Sequence, residues 1–352
     1  MSIVRFAISF CVAASPAFAI AQSAVQYQAG ADNEASLQQA GGVGNVSLQY
    51  QDGRANLSEV VQTGGYNDAR IDQQSSFSEA AVRQVGQDNR ARIYQMRIFP
   101  DDAGQQANIY QSGDANRVNV VQEYRGNSTD LRQQGDRNRS EVRQRWNDNV
   151  LVAVTTGADN RLFVSQHGFG NSFVEQSGYA NQISIEQNVY PYADAIRVIQ
   201  LGVANRVDVT QRGSNRYVLG DVELEQIGSE NLMTVAQSGG FDSFHFSQQG
   251  TANELDARQA GLQLEIQGGS TGDRNQVTID QRYDFATLQI SQNGDDNVID
   301  VKQYDLYRRS ASVAQVGFAN QAILVQGWGS GAIERYATIR QSGSGNLASL
   351  SQ

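Results

Sequence analysis

The stretch QLGVANRVDVTQ, residues 200–211, joins a turn phrase of the form Q-x-G-x-x-N to a run in which apolar and polar residues alternate. In that run the asparagine, both valines and the last glutamine share one face, while the arginine, the aspartate and the threonine share the other. A period of two is typical of a β-strand. The stretch therefore predicts a turn followed by a strand with one inward and one outward face.

The turn phrase returns about every 22 residues along the chain, which indicates a solenoid or an array built from one repeated unit. Two copies, TTGADN from Thr155 and STGDRN from Ser270, lose the glutamine, and QAGGVGN from Gln39 has one extra residue. The other half of each coil shows the same alternation of apolar and polar residues, but its sequence is less regular. We predict an all-β solenoid with two strands per coil of about 22 residues and roughly 14 coils.

The repeated glutamine, glycine and asparagine predict ladders that run along the solenoid. An unpaired buried amide loses roughly 1–3 kcal/mol, but amides stacked in register bond to their copies in the next coil. The glycine suits a turn that needs a positive φ or a close approach to the next coil, and the asparagine tolerates such turns. The predicted structural ladder comprises Gln62, Gly64, Asn67, Gln84, Gly86, Asn89, Gln111, Gly113, Asn116, Gln133, Gly135, Asn138, Gly157, Asn160, Gln176, Gly178, Asn181, Gln200, Gly202, Asn205, Gln226, Gly228, Asn231, Gln248, Gly250, Asn253, Gly272, Asn275, Gln292, Gly294, Asn297, Gln315, Gly317, Asn320, Gln341, Gly343 and Asn346.

Insertions distinguish the two kinds of turn. They occupy residues 96–105, 188–195, 212–221 and 327–336, always in the turn that alternates with the strict one. Pro100 and Pro191 lie in these insertions, where a missing N–H does least harm. One edge of the solenoid is therefore expected to be constrained and the other variable.

Residues 1–21 have the features of a secretory signal peptide. Arg5 precedes an apolar run, and the small residues from Ala17 to Ala21 offer cleavage sites. Cys11 is the only cysteine and is expected to leave with the signal, so disulfides do not hold the exported chain together. We predict a signal peptide over 1–21 and a repeat β-solenoid over 22–352.

The charge balance argues against nucleic acid as the primary partner. Loss of Arg5 takes the net charge from −10 to −11, and nearly all the positive charge is arginine. No later apolar stretch approaches the roughly 20 residues of a membrane span. We therefore expect an extracellular protein that is released or held at the surface by other proteins.

The last coil of the sequence has an unusual composition. No charged residue occurs from Gln341 to Gln352, and Leu347, Ser349 and Ser351 are predicted to point outward. A solenoid that stays monomeric needs capped ends, because a terminal coil offers unpaired strand edges to any similar strand. We expect an open, uncharged edge that can template further coils.

The pattern S/N-x-φ-x-φ-x-Q-x-G-x-x-N-x-φ-x-φ-x-Q, where φ is apolar, resembles the curlin repeats of curli, the extracellular amyloid fibres of Gram-negative biofilms. The resemblance rests on the ladder residues above and covers essentially the whole chain after the signal. It implies secretion through a dedicated outer-membrane pore, nucleation at the cell surface, and self-assembly with other curlin subunits into cross-β fibres that bind matrix and host surfaces. The chain departs from the usual curlin pattern because it is much longer, its second turn is irregular, and residues 22–28 contain no clear secretion-targeting segment. Whether it is a main fibre subunit, a nucleator or an accessory protein is therefore left open.

Other functions remain as alternatives. A non-polymerising β-solenoid adhesin that binds polysaccharide is the runner-up, and concentration-dependent fibre growth separates it from the first hypothesis. β-helical polysaccharide lyases and hydrolases need clustered acids or basic residues with breaks in the ladder. Ice binding calls for outward threonine arrays, whereas the outward columns mix arginine, aspartate, glutamine and serine. We expect neither an enzyme nor an ice-binding protein.

Charged and polar side chains outside the ladder offer few candidate sites. His167 and His245 are far apart in the sequence, and Asp101, Asp102, Asp273, Asp295 and Asp296 near turns lack the nonapeptide of calcium-binding β-rolls. We predict no catalytic, metal or cofactor site.

Five arginines that each follow a motif asparagine form a candidate anion-contact column for matrix polysaccharide, interrupted at Gln182. They are Arg90, Arg117, Arg139, Arg161 and Arg206. Mixed charges in the neighbouring columns instead favour a solvated face. Aromatic residues on turns or faces, some on the variable edge, could contact a ligand: Phe163, Phe169, Tyr179 and Trp328.

Overall fold

The computed structural model describes residues 22–99, 104–189, 195–213, 220–304, 308–327 and 334–352. The predicted signal peptide, both insertion prolines, Asp101, Asp102 and Trp328 lie outside these ranges. The chain divides into two compact units, the first ending at Phe169 and the second beginning at Gly170. Every regular element in the described ranges is a β-strand, and no helix there is long and apolar enough to cross a membrane.

Unit 1 is a stack of parallel strands in two sheets. The odd-numbered strands form one sheet, in the order β1-β3-β5-β7-β9-β11-β13, and the even-numbered strands form the other, from β2 to β12. The strands are β1 Ser23–Ala31, β2 Glu34–Ala40, β3 Val46–Arg54, β4 Leu57–Gly65, β5 Asp68–Gln74, β6 Glu79–Gln87, β7 Arg90–Met96, β8 Gln106–Ser112, β9 Arg117–Glu123, β10 Ser128–Gln134, β11 Arg139–Arg145, β12 Val150–Ala158 and β13 Arg161–Gly168.

Unit 2 repeats this architecture. Its even sheet runs from β14 to β28 and its odd sheet from β15 to β29. The strands are β14 Asn171–Tyr179, β15 Gln182–Val189, β16 Ala195–Val203, β17 Arg206–Gly213, β18 Val222–Ser229, β19 Leu232–Gly240, β20 Ser243–Thr251, β21 Glu254–Leu262, β22 Glu265–Thr271, β23 Gln276–Asp284, β24 Ala286–Asn293, β25 Val298–Tyr304, β26 Arg309–Phe318, β27 Gln321–Gln326, β28 Arg335–Ser344 and β29 Leu347–Ser351.

The predicted β-solenoid, with two strands per coil and about 14 coils in all, is confirmed. Paired residues in successive coils are typically 22 positions apart, as for Gln62 and Gln84. An insertion lengthens the step without disturbing the register, so that Gln84 pairs with Gln111. All four insertions fall between an odd-numbered strand and the next even-numbered one, which makes that edge the variable edge.

Alternating burial produces the core between the sheets. In β17 the predicted inward residues Val207 and Val209 are buried, while Arg206 is exposed. Each buried valine, isoleucine or leucine contributes roughly 1.5–3 kcal/mol. The first odd strands differ, because Gln26 and Gln49 point inward and hydrogen-bond at 2.6 Å, so the odd-sheet side of the interior is polar in these coils.

The strict turn joins each even strand to the next odd strand and contains two left-handed residues. The motif glycine has φ of 102° at Gly64, and a Cβ there would overlap the carbonyl of Gly86 in the next coil. The second left-handed residue is the one before the asparagine, such as Ala252 with φ of 54°. No motif asparagine in the described ranges has a positive φ.

We expect Ala252→Gly to stabilise the folded chain slightly. A left-handed alanine costs about 1–2 kcal/mol, partly offset by the extra freedom that glycine has in the unfolded chain. Chemical denaturation followed by circular dichroism is expected to show a higher midpoint. In contrast, Ala257→Gly, at a buried position within β21, is expected to lower the midpoint. A lower midpoint for Ala252→Gly would contradict this account of the turn.

Candidate functional site

The motif glutamines stack along the even sheet as a hydrogen-bonded column. In unit 1 the Nε2 atoms of Gln39, Gln62, Gln84 and Gln111 donate to Oε1 of the next glutamine at 2.8–3.0 Å, ending at Gln133. In unit 2 the same bonds join the successive glutamines Gln176, Gln200, Gln226 and Gln248 at 2.9–3.1 Å, and Gln292, Gln315 and Gln341 at 2.8–3.1 Å. All these residues except Gln39 are buried, so each amide satisfies its neighbour.

The two turn phrases that lack a glutamine interrupt this column. Thr155 pairs in register with Gln133, and its buried Oγ1 has no hydrogen-bond partner among the described residues. Ser270 pairs with Gln248, and its Oγ donates to Oε1 of Gln292 at 2.8 Å. A hydroxyl side chain is too short to hydrogen-bond to the glutamines of both neighbouring coils. Thr155 and Ser270 are therefore expected to reduce the stability of their units.

We expect Ser270→Gln to stabilise unit 2 by roughly 1–2 kcal/mol, because the new amide would bond to Gln248 and Gln292. The denaturation midpoint of the variant is expected to rise. Thr271→Gln, on the outward face of the same strand, serves as a control with little expected change. If both variants behave alike, the amide column does not contribute to stability in the way described.

The odd sheets contain a second glutamine column, which was not included among the predicted ladder residues. Nε2 again donates to Oε1 of the next member, at 2.7–3.0 Å in unit 1 and 2.7–3.5 Å in unit 2. Its members are Gln28, Gln51, Gln73, Gln95, Gln122, Gln144 and Gln166 in unit 1, and Gln187, Gln211, Gln237, Gln259, Gln281, Gln303, Gln326 and Gln352 in unit 2. Unlike the first column, it has no break within either unit.

The motif asparagines form a third column at the strict turns. Asn67 donates its backbone N–H and its Nδ2 to Oδ1 of Asn45, at 3.0 and 3.2 Å, and Nδ2 also donates to the carbonyl of Gly86 at 2.9 Å. The pattern recurs up to Asn160 in unit 1 and, apart from individual bonds, from Asn181 to Asn346 in unit 2. Each turn is thereby tied to both the preceding and the following coil.

These columns have a direction. Each glutamine donates Nε2 toward the coil that follows it in the sequence, and each asparagine donates Nδ2 to the following coil's glycine carbonyl. In the first coil of unit 1 the glutamine Oε1 atoms therefore face away from the following coil. In the last coil of unit 2, Nε2 of Gln341 and of Gln352 donates to backbone carbonyls but not to a following glutamine among the described residues. The two edges are chemically different and complementary.

Both edges are open in the described part of the chain. No described strand pairs with the outer sides of β1 and β2, and Oε1 of Gln28 and Gln39 accepts no hydrogen bond from a described residue. At the other edge, β28 and β29 likewise have no described neighbour on their outer sides. A Cβ on Gly343 would meet only Nδ2 of Asn346, at 3.6 Å, whereas one on Gly317 would overlap the carbonyl of Gly343.

Two strict turns at the first edge are absent from the predicted set of turn phrases. QAGADN, residues 28–33, and QDGRAN, residues 51–56, have the full motif but follow the odd strands β1 and β3. Their geometry matches the other strict turns, since Gly30 has φ of 95° and Nδ2 of Asn33 donates to the carbonyl of Gly53 at 3.1 Å. Both turns could have been predicted from their amino-acid sequence alone.

The structure brings together four of the five arginines in the candidate column. Arg90, Arg117, Arg139 and Arg161 are consecutive neighbours in the odd sheet of unit 1. Arg206 lies in unit 2 beside Gln182. Acidic side chains accompany the column: Arg90 lies 3.1 Å from Asp68, Arg139 lies 3.9 Å from Glu141, and Arg206 lies 2.7 Å from Asp208.

The acidic and histidine side chains have local structural partners. Oδ1 of Asp273 accepts from the backbone of Thr251 at 2.8 Å, and Oδ1 of Asp295 accepts from that of Asp273 at 2.8 Å. Nε2 of His245 lies 2.6 Å from Asp221, and the ring of His167 lies 5.6 Å from that of Trp146. No group of three or more histidine, cysteine, aspartate or glutamate side chains that could hold a metal ion occurs in the described ranges.

Asp242 is buried in a variable turn of unit 2. Oδ1 accepts from the backbone N–H of Leu264 at 2.9 Å, while Oδ2 is buried without a hydrogen-bond partner among the described residues. Burial raises the pKa of this carboxyl to about 7, with Asp284 adding to the rise. The folded state thus binds the proton more tightly than the unfolded state does, so stability falls as the pH rises from about 4 to about 7.

We expect Asp242→Asn to remove this part of the pH dependence. At pH 8 the variant should have a higher denaturation midpoint than the parent chain, because the parent must bury a charge. At pH 4.5 the two midpoints should be close. Denaturation curves at both pH values test the prediction, and an equal effect of the substitution at pH 4.5 and pH 8 would contradict it.

Aromatic side chains form a row on the variable edge of unit 1. The rings of Phe99 and Tyr124 lie 5.8 Å apart, and those of Tyr124 and Trp146 are stacked at 5.6 Å. Of the aromatic residues predicted to lie on turns or faces, Phe163 lies on the outward face of β13. In unit 2, Tyr179 is exposed at the end of β14.

The fold and the three amide columns define the described part of each unit as a parallel β-solenoid. No protein-family model and no curated protein matches the chain.

Proposed function

We propose that this protein is a secreted structural subunit that self-assembles into curli-like extracellular amyloid fibres, which support the biofilm matrix and adhesion. The observation that carries the proposal is that no described strand pairs with the outer sides of β1, β2, β28 and β29. Among the described residues, the backbone groups and ladder amides of these strands lack the neighbouring coil that internal coils have. A second copy of the chain supplies such a coil.

The composition of the last coil supports assembly. Natural proteins commonly block exposed strand edges with charges, prolines or covering segments. Residues 341–352 contain no charged side chain and no proline, and β29 exposes Leu347. An added strand would pair with every open backbone group, so growth at this edge is favoured once nucleation has occurred.

The partners in this proposal are other copies of the chain, other curlin subunits, and the curli secretion machinery. The last two follow from the resemblance of the repeat to curlins. The predicted signal peptide supports export, and the matrix polysaccharide is the proposed ligand of the assembled surface.

Seeded assembly tests the proposal. The mature chain, purified in denaturant and diluted, is followed by thioflavin fluorescence and electron microscopy with and without preformed seeds. We expect fibres and a lag phase that seeds abolish. A stable β-rich species that stays soluble at all concentrations and forms no fibres when seeds are added would overturn the proposal.

A non-polymerising adhesin that binds polysaccharide is the alternative, and the column of Arg90, Arg117, Arg139 and Arg161 favours it. Arginines repeated at the strand spacing of about 4.8 Å could contact an extended polyanion. If the chain remains monomeric, binding to an anionic polysaccharide should weaken when all four are replaced by glutamine. Unchanged binding would exclude the column as the contact.

A further inference from the structure

We infer that fibre growth joins β28 of one copy to β1 of the next and β29 to β2, in a single register with a constant offset of 313 residues. The inference rests on the proposed function and specifies which strands meet. It places a strand of an even sheet against a strand of an odd sheet at each junction, an exchange that does not occur between coils within either unit.

The turns at the two edges have the same motif. QSGSGN, residues 341–346, joins β28 to β29, and QAGADN, residues 28–33, joins β1 to β2. Stacking these turns places Gly30 on Gly343 and Asn33 on Asn346. This is the arrangement that adjacent strict turns have inside unit 2, where Nδ2 of Asn320 donates to the carbonyl of Gly343 at 2.9 Å.

The ladder groups at the two edges complement each other in direction. Nε2 of Gln341 reaches two backbone carbonyls, at 2.9 and 3.0 Å, but no following glutamine among the described residues. Oε1 of Gln28 in a second copy is the missing acceptor. Likewise, Oδ1 of Asn346 can accept the backbone N–H of Asn33, and Nε2 of Gln352 can reach Oε1 of Gln39.

The strand sequences fit this register. In β29 and β2 the inward positions match one for one: Ala348 on Ala35, Leu350 on Leu37 and Gln352 on Gln39. In β28 and β1 one inward pair is unlike, with Ile339 beside Gln26. The chain already accommodates such a pair, because Gln49 lies beside Ile71 in register.

The outward face of the junction gains a favourable contact. The register places Arg340 beside Tyr27, two exposed side chains. Within unit 1 the guanidinium of Arg132 lies 4.8 Å from the ring centroid of its register neighbour Tyr110. A cation–π contact of this kind is attractive even at an exposed site.

The competing register keeps odd strands together by placing β1 on β29. It would continue one glutamine column, from Gln352 to Gln28, and would put Leu350 beside Gln26. However, it leaves the outer edge of β28 without a partner, together with Gly343 and Asn346. The register with an offset of 313 continues three amide columns and covers both strands.

Disulfide trapping distinguishes the two registers. The chain from residue 22 onward contains no cysteine, so single cysteines can be placed at will. Residues paired in adjacent parallel strands lie about 4.8 Å apart, within the Cα range of a disulfide. Fibres are grown from a mixture of Ser349→Cys chains and mass-tagged Ser36→Cys chains with wild-type seeds, oxidised, and dissolved for non-reducing electrophoresis. A matched mixture pairs Ser349→Cys with Val25→Cys.

We expect at least fivefold more disulfide-linked heterodimer from the Ser36→Cys mixture than from the Val25→Cys mixture. The reverse ratio would establish the competing register and overturn the inference. The pair Ser351→Cys and Gln38→Cys repeats the test one register position further along the outward face. Fibres that trap neither pair would also overturn it. Electron microscopy of the wild-type chain before oxidation separates these outcomes from a failure to form fibres, which would overturn the proposed function itself.

Discussion

Gly228→Ala is expected to destabilise the folded chain by more than about 3 kcal/mol. Gly228 has φ of 121°, a conformation that L-residues rarely adopt, and an added Cβ would lie 2.9 Å from the carbonyl carbon of Gly250 and closer still to its oxygen. That carbonyl also accepts a hydrogen bond from Nδ2 of Asn231 at 2.9 Å. The substitution therefore strains one turn and pushes away the next coil. Chemical denaturation followed by circular dichroism measures the loss.

Two other glycines separate these causes. Gly104 has φ of 73° but no atom of a described residue lies within 4 Å of an added Cβ, so Gly104→Ala is expected to cost about 1 kcal/mol. Gly327 has no positive φ and likewise no described atom near an added Cβ, so Gly327→Ala should be nearly neutral. Equal losses at Gly228 and Gly104 would show that contact between coils adds nothing to the requirement for glycine.

Charging the last strand is expected to slow fibre elongation at least tenfold. Ala348 and Leu350 lie on the inward face of β29 and are only partly covered. Leu350→Lys combined with Ala348→Asp leaves both charges hydrated in the free chain but buries them when another coil is added. The effective cost of burying an ion is several kcal/mol, and 1.4 kcal/mol already corresponds to a factor of ten.

The matched control places the same changes on an outward face within unit 2. Leu232 and Ala236 lie on the outward face of β19, so Leu232→Lys combined with Ala236→Asp keeps both charges in solvent. Elongation on wild-type seeds, measured by thioflavin fluorescence, should be close to that of the parent chain. Equal slowing by both double variants would contradict growth at the edge formed by β28 and β29.

The coil could be predicted from the sequence because contacts between coils dictate residue types at a few positions. The motif position must be glycine because its φ is positive and because a Cβ would overlap the carbonyl of the next coil. The buried amides must recur in every coil so that each finds a hydrogen-bond partner in the next. The left-handed position before the asparagine could not be predicted, since it holds alanine, aspartate, arginine, glutamate and tyrosine. Its conformation comes from the turn as a whole, not from its side chain.

The first odd strands show another limit. The alternation of apolar and polar residues in β1 and β3 shows that the two faces of each strand differ, but it does not show which face is inward. The apolar side chains of Val25, Tyr27 and Tyr50 suggest that their own face is inward, which is wrong. The structure exposes Val25 and Tyr27 and points Gln26 inward, because the column that begins at Gln28 fixes the parity of the strand. The overlooked motif at residues 28–33 contains this information.

We propose that the chain is the unit of a cross-β polymer in which parallel coils continue from one copy to the next. X-ray diffraction from aligned fibres of the mature chain tests this proposal. We predict a sharp meridional reflection near 4.7–4.8 Å and a diffuse equatorial one near 10 Å. Samples that yield no fibres, or fibres without the meridional reflection, would contradict the claim.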